Sequence, residues 1–176
     1  IMGKGLGVGV YSAALKKDLL TPALYEQMIA STTQLNTPGE RLAQLPGVHA
    51  LTDVTGFGLL GHALEICNGS GLQGTIRYEA LHLLPEVFDL AQGGCVTGAS
   101  QRNWASYGAH VHLAATLGDV ERSILTDPQT SGGLLVACDP EAASEVLDIF
   151  KSEGFDAARM IGHLVPAKTN IYVEVM

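Results

Sequence analysis

The chain has 176 residues, 47% hydrophobic, 16% charged and 6% aromatic, with a mean hydropathy of +0.22. That composition excludes a disordered chain. No stretch approaches the roughly 18–20 uninterrupted apolar residues of a membrane span, and the first residues lack the zones of a signal peptide. A soluble, cytoplasmic protein of one or at most two compact domains is expected. The net charge of −8 argues against nucleic acid as a partner, yet leaves room for a phosphorylated small molecule, because helix N-termini and divalent cations bind phosphate without net positive charge.

In chain order, the glycines at 3, 5, 7 and 9 alternate with Leu6, Val8 and Val10. They read as an extended segment against which something packs or binds, or equally as a slack leader. This opening looks like the approach to a strand, and a fragment is suspected. Thr21-Pro22 starts a helix continued by Leu24, Met28 and Leu35, and Thr37-Pro38-Gly39-Glu40 starts another with a capping box. Residues 48–52 form a strand, 53–58 a glycine turn, and Leu59, Leu60, Ala63, Leu64 and Cys67 trace a helix face. Residues 74–78 read as a strand, 85–91 as a helix and 93–107 as a long loop. Residues 111–114 and 134–138 are strands; a helix beginning at Asp139-Pro140-Glu141 buries Ala143, Val146, Leu147 and Phe150 and stops at Gly154. Two closing strands, 158–164 and 169–175, are separated by Pro166. Strands interleaved with helices predict an α+β fold of mixed α/β layers.

Two segments carry chemistry. Leu51-Thr52-Asp53-Val54-Thr55-Gly56-Phe57-Gly58 puts a carboxylate at a strand end and glycines at a helix start. That pairing suits a cation and a phosphate, or Asp53 simply caps the turn. Asp127-Pro128-Gln129-Thr130-Ser131-Gly132-Gly133 offers hydroxyls and amides to a ligand, or is an ordinary Asp-Pro turn. His110 and His112 share a strand face and read as partly buried structural histidines, since no third ligand stands nearby. His62 packs or caps on its helix, with a pocket-lining role open. Cys67, Cys95 and Cys138 are odd in number and widely spaced, and read as reduced core thiols.

Taken together in order, the two segments resemble the C-terminal half of the selenophosphate synthetase (selenide, water dikinase) family. Lys4-Gly5-Leu6-Gly7-Val8-Gly9 is similar to that family's opening strand, with Gly5 and Val8 as departures; residues 98–103, ending at Asn103, resemble its Gly-Gly-x-x-x-Asn loop, and Ile161-Gly162 its closing strand. The likeness implies a single domain over 1–176, similar to the C-terminal domain of aminoimidazole ribonucleotide synthetase: a mixed sheet covered by helices. It implies an enzyme in which ATP, selenide and water give selenophosphate, AMP and phosphate, with Mg²⁺ held partly by Asp53. Thr55, Gly56, Phe57, Gly58, Thr130, Ser131, Gly132 and Gly133 would shape the phosphate and product side, with Asp127, His62 and Asn103 as further candidates. The nucleophile, its partner lysine and most of the ATP site would lie in an N-terminal half, which would also build a homodimer, so this chain alone would not turn over. The competing expectations are a non-catalytic dimerisation or regulatory module, or a superfamily member resembling thiamine-monophosphate kinase or the hydrogenase maturation protein.

Overall fold

The computed structural model describes residues 1–167 and 171–176. Helix α1 spans Val8–Leu15, α2 Pro22–Thr33 and α3 Pro38–Ala43, followed by strand β1, Val48–Asp53. Next come α4 (Gly58–Ser70), β2 (Leu72–Ile76), α5 (Val87–Gln92), α6 (Gly98–Tyr107), β3 (Val111–Leu113) and α7 (Asp119–Leu125). The chain closes with β4 (Leu134–Cys138), α8 (Ala143–Ser152), β5 (Gly162–Pro166) and β6 (Val173–Val175). Strands β1 and β4 pair antiparallel, while a second sheet runs β3-β6-β2-β5, parallel except for β2 with β5. Met2 bridges to Leu135 of β4 and to Arg159, so the first residues lie between the pair and the closing segment. This is the expected α+β layering.

Helix α4 organises the interior. Its residues 58–64 and Cys67 are buried, and it packs against β2 and β6 of one sheet and β1 and β4 of the other. Leu59 and Leu60 are wholly inaccessible and join Ile76, Val173 and Val175 in one cluster; burying each such side chain is worth roughly 1.5–3 kcal/mol. A second cluster gathers Val10, Tyr11, Leu24, Val87 and Ile124 between α1, α2, α5 and α7. The third packs Val146 and Phe150 of α8 on Leu42 and Val136.

Several expectations need correction. The opening segment is extended only to Leu6, and Val8, Gly9 and Val10 already belong to α1. It is no slack leader: Gly3 lies against Phe150, Gly5 against His82, Gly7 against Val87 and Gly9 against Asp127. Residues 98–107 are helix rather than loop, because the Thr97 hydroxyl accepts from Ser100 N at 3.1 Å and starts α6. That helix buries Ser100 and Asn103 instead of an apolar stripe, so hydrophobic periodicity was silent. Helix α7 went unanticipated. Thr37 stands at the start of α3 but its side chain makes no capping bond, and Leu35 lies beyond α2, 73% exposed. His110 ends a short 3₁₀ turn beside the Tyr172 ring, and both it and His112 are exposed. Cys67 and Cys95 are buried, but Cys138 is only half-buried. The expected strand 158–164 starts later, at Gly162, and runs to Pro166; residues 169 and 170 of the last expected strand lie outside the described residues.

Candidate functional site

The register of β1 on β4 sets Asp53 opposite Leu134, so the turn leaving β1 and the loop entering β4 lie side by side. Val54 N donates to Gly133 O at 2.9 Å, and Gln129 N to Thr55 O at 3.0 Å. Gly132 passes so close that a Cβ there would stand 2.0 Å from Val54 O, leaving room only for glycine. The next two carbonyls are held from α6: Asn103 Nδ2 donates to Gly56 O at 2.9 Å and to Thr126 O at 3.0 Å, and Tyr107 OH donates to Phe57 O at 2.6 Å. Gly58 starts α4 with φ +70° against the Thr126 carbonyl, a left-handed conformation and a contact that a side chain would oppose. The carbonyls of 55, 56 and 57 are therefore all drawn into the protein.

What remains outside is sparse and polar. Asp53 is exposed and Val54 buried, with Thr55 half-buried, the alternation of extended chain. The Asp53 carboxylate makes no hydrogen bond or ion pair with the described residues. Gly56 has open space above it, and Phe57 is 54% exposed, leaning on α4 where Gly61 lacks a side chain. Helix α4 has no side-chain cap, so its first amides face this turn with the positive end of the helix dipole. Thr55 Oγ1 lies 3.2 Å from His62 Nε2, and His62 Nδ1 lies 2.9 Å from Glu65 Oε2. A groove of about 490 Å³ between Phe57, Glu65, Tyr107 and Tyr172 opens beside them. A more apolar cavity of about 300 Å³, lined by Cys67, Val136 and Ile161, shares no residue with either loop.

The second loop divides. Asp127 and Gln129 are buried and serve the interior: Asp127 Oδ2 accepts from Gly9 N at 2.9 Å and Val10 N at 3.2 Å, and Gln129 Oε1 from Gly7 N and Val8 N, each at 3.2 Å. Together they cap α1 from 117 to 122 residues away. Burial pushes the Asp127 carboxyl up to about 7, against the opposing pull of the Val10, Gln129 and Gly9 donors; its Oδ1 has no partner. Gly133 packs on the Lys4 backbone. The buried Lys4 ammonium donates to Ser131 O, Ser31 O and Gln34 O at 2.7, 3.1 and 2.6 Å, and desolvation lowers its pKa. Thr130 is exposed and Ser131 half-buried.

Among the described residues no three His, Cys, Asp or Glu side chains converge on a metal position. Magnesium asks less of protein: one or two carboxylates, the rest water and phosphate oxygen. The exposed Asp53 carboxylate, without a hydrogen bond among the described residues, fits one such carboxylate ligand. Glu65 escaped the sequence reading, although its place three residues after His62 on one helix was the available signal. Tyr107 left none.

The sequence matches, over residues 1–174, the family described as AIR synthase related protein, C-terminal domain. The chain belongs to this family. Proteins similar to it include several named selenide, water dikinase. That of Dechloromonas aromatica is 56% identical over 173 residues, 98% of this chain and 50% of the relative. That of Burkholderia pseudomallei is 58% identical over 174 residues, 99% and 49%, and that of Rhizobium meliloti 52% over 173 residues, 98% and 50%. This AIR synthase related domain thus spans about half the length of the curated relatives it matches. Among solved structures, Escherichia coli HypE, a hydrogenase maturation protein, superposes with a TM-score of 0.67 at 20% identity, covering 99% of this chain and 44% of HypE. A HypE in complex with ATP gives 0.60 at 16%, covering 93% and 41%. At those identities the likeness shows that the fold is shared.

Proposed function

We propose that this chain is the C-terminal half of a selenide, water dikinase, an enzyme that makes selenophosphate from selenide, ATP and water with release of AMP and phosphate. The observation that carries the reading is the unengaged Asp53 carboxylate on a turn whose three following carbonyls are tied inward, at the start of an uncapped helix. The names of the relatives at 52–58% identity support the same reading. The hydrogenase-maturation alternative has only 16–20% identity behind it.

In this reading Asp53 is a ligand of Mg²⁺, the ion that neutralises nucleotide phosphate charge during transfer. Thr55 and the amides at the start of α4 bind phosphate oxygens, and Phe57, Thr130 and Ser131 border the product side. Asn103, Tyr107, Gly58 and Gly132 keep that wall rigid, which matters because phosphoryl transfer depends on positioning. None of the three cysteines is the nucleophile: burial pushes Cys67 up to about 11 and raises Cys138, so neither is an activated thiolate, and Cys95 is buried in the α1–α5 cluster away from both loops. The nucleophile, the remaining metal ligands and the homodimer contacts belong to the other half. Free thiols and an acidic surface suit a reducing cytoplasm and small-molecule partners. No helix among the described residues is long and apolar enough to cross a membrane.

The test is Asp53→Ala in the full-length protein. Selenide-dependent AMP formation is expected to fall at least about a hundredfold, the scale of losing a metal ligand that organises phosphoryl transfer. AMP formation at the wild-type rate would overturn the reading.

A further inference from the structure

Lys4 is a buried charge with no part in the mechanism above. It is 3% exposed, and its ammonium donates to Ser31 O, Gln34 O and Ser131 O at 3.1, 2.6 and 2.7 Å. Carbonyls only accept, and a neutral amine has two N–H groups, so three such partners fix the side chain in its charged, three-donor form. Among the described residues no carboxylate forms an ion pair with it, and a buried ammonium without a carboxylate is destabilising. Two of the bonds secure the end of α2, whose last carbonyls and dipole offset part of the charge. The third reaches outside α2. It draws inward the carbonyl of Ser131, a non-glycine residue in the left-handed region at φ +50°. Asn36 Nδ2 likewise donates to Gly132 O at 2.8 Å. With those carbonyls engaged, the unused groups of the loop are donors: neither the amides nor the hydroxyls of Thr130 and Ser131 bond to any described residue. Thr130 is exposed and Ser131 half-buried.

We propose that Lys4 is a positioning residue for a phosphoryl anion: from the interior side it fixes the Ser131 carbonyl and supplies the positive charge that a phosphate, held by the Thr130 and Ser131 amides and hydroxyls, balances from outside. Successive free amides form anion seats of this kind, and a buried charge acts on them with little screening by salt. The assignment rests on the dikinase reading for the identity of the anion, as released phosphate or phosphorylated product. It goes beyond that reading by naming a source of positive charge in a chain of net charge −8. It also accounts for Gly133, where a Cβ would stand 2.3 Å from Lys4 N and push the loop off its cation.

The experiment titrates this chain with inorganic phosphate, followed by NMR at the Thr130 and Ser131 amides. Wild type is expected to give saturable shifts there, and Lys4→Met, similar in length but uncharged, to raise the dissociation constant at least about tenfold, the scale of one buried charge. Lys4→Met also loosens the end of α2, so a pair of ligands separates charge from shape: methyl phosphate, a dianion, and dimethyl phosphate, a monoanion, at one alkaline pH. Wild type is expected to favour the dianion and Lys4→Met to lose most of that preference. Weakening of both ligands by the same factor would make Lys4 a tether of α2 alone and overturns the proposal. The exposed side has its own variant, Thr130→Val with Ser131→Ala, which leaves Lys4 and its three carbonyls in place and is expected to weaken phosphate severalfold. Wild-type affinity in that variant overturns the seat, as does a wild-type chain without saturable shifts at these amides. Absence of those shifts in a protein whose full-length form makes AMP from ATP and selenide overturns this proposal alone, whereas a full-length protein that forms no AMP overturns the dikinase reading and leaves the phosphate titration to stand by itself.

Discussion

Asp127 is the residue whose role most departs from what its motif suggests. The loop it heads reads as a ligand-facing loop or an ordinary Asp-Pro turn, with Asp127 a further candidate by resemblance, but its Oδ2 is spent on the first amides of α1. Replacing Asp127 by Ala leaves those buried amides unpaired and is expected to cost about 1–3 kcal/mol in urea unfolding. The pH dependence follows from its raised carboxyl. The folded chain holds this proton up to about 7, whereas the ordinary value is 3.8; its stabilising effect is complete below the lower figure and lost as pH rises through the upper. Asp127→Asn is therefore expected to remove that decline, read as the difference between wild-type and variant urea midpoints across the interval; parallel curves would refute the assignment. Glycines give a second contrast. Gly132→Ala must displace the Val54 carbonyl and is expected to cost at least about 2 kcal/mol, while Gly56→Ala, with nothing within 4 Å of the new methyl, should stay within about 0.5 kcal/mol. For Asp53 the sequence pattern left a ligand and a turn cap equally open, and only the family resemblance favoured the ligand; the structure leaves its carboxylate without a hydrogen bond among the described residues. The contacts of Asp127 were not legible, because its partners are backbone amides that no side-chain pattern records.

At the level of elements, legibility followed apolar spacing. Helices α4 and α8 bury stripes that the sequence displays, and both start where expected to within a few residues. Helix α6 has Ser100 and Asn103 as its buried face and was taken for a loop; its inward side is chosen for hydrogen bonds to the 55–57 turn and to Thr126, not for hydrophobicity. Capping signals divided the same way. Thr97 accepts from Ser100 N, whereas Thr37, in the better-looking capping box, accepts nothing, because it has already turned into helical φ/ψ. Thr97→Ala is expected to lower stability by about 1 kcal/mol and Thr37→Ala by no more than about 0.5 kcal/mol, measured as shifts in urea midpoint. The reverse order would mean that the turn leading into α3, not the start of α6, is where a capping oxygen matters.

For the whole molecule, the two sheets are joined through α4, so they should not unfold separately. Trp104, the single tryptophan, packs against the α4 cluster and reports on it by fluorescence, while far-ultraviolet circular dichroism reports on all helices. The two transitions are expected to coincide, and Leu60→Ala, at a fully buried position, should move both together by about 2–5 kcal/mol. A Trp104 transition that shifts alone would show that α8 and its cluster form a separate unit. Sequence patterning conveyed the layered class but not the pairing order β3-β6-β2-β5, since strand register depends on partners distant along the chain. The cap of α1 carries that dependence into time. A ribosome releases Gly7 to Val10 long before Asp127 and Gln129 exist, so the first helix of this domain leaves the exit tunnel with these amides uncapped and gains its cap only from the final third of the chain.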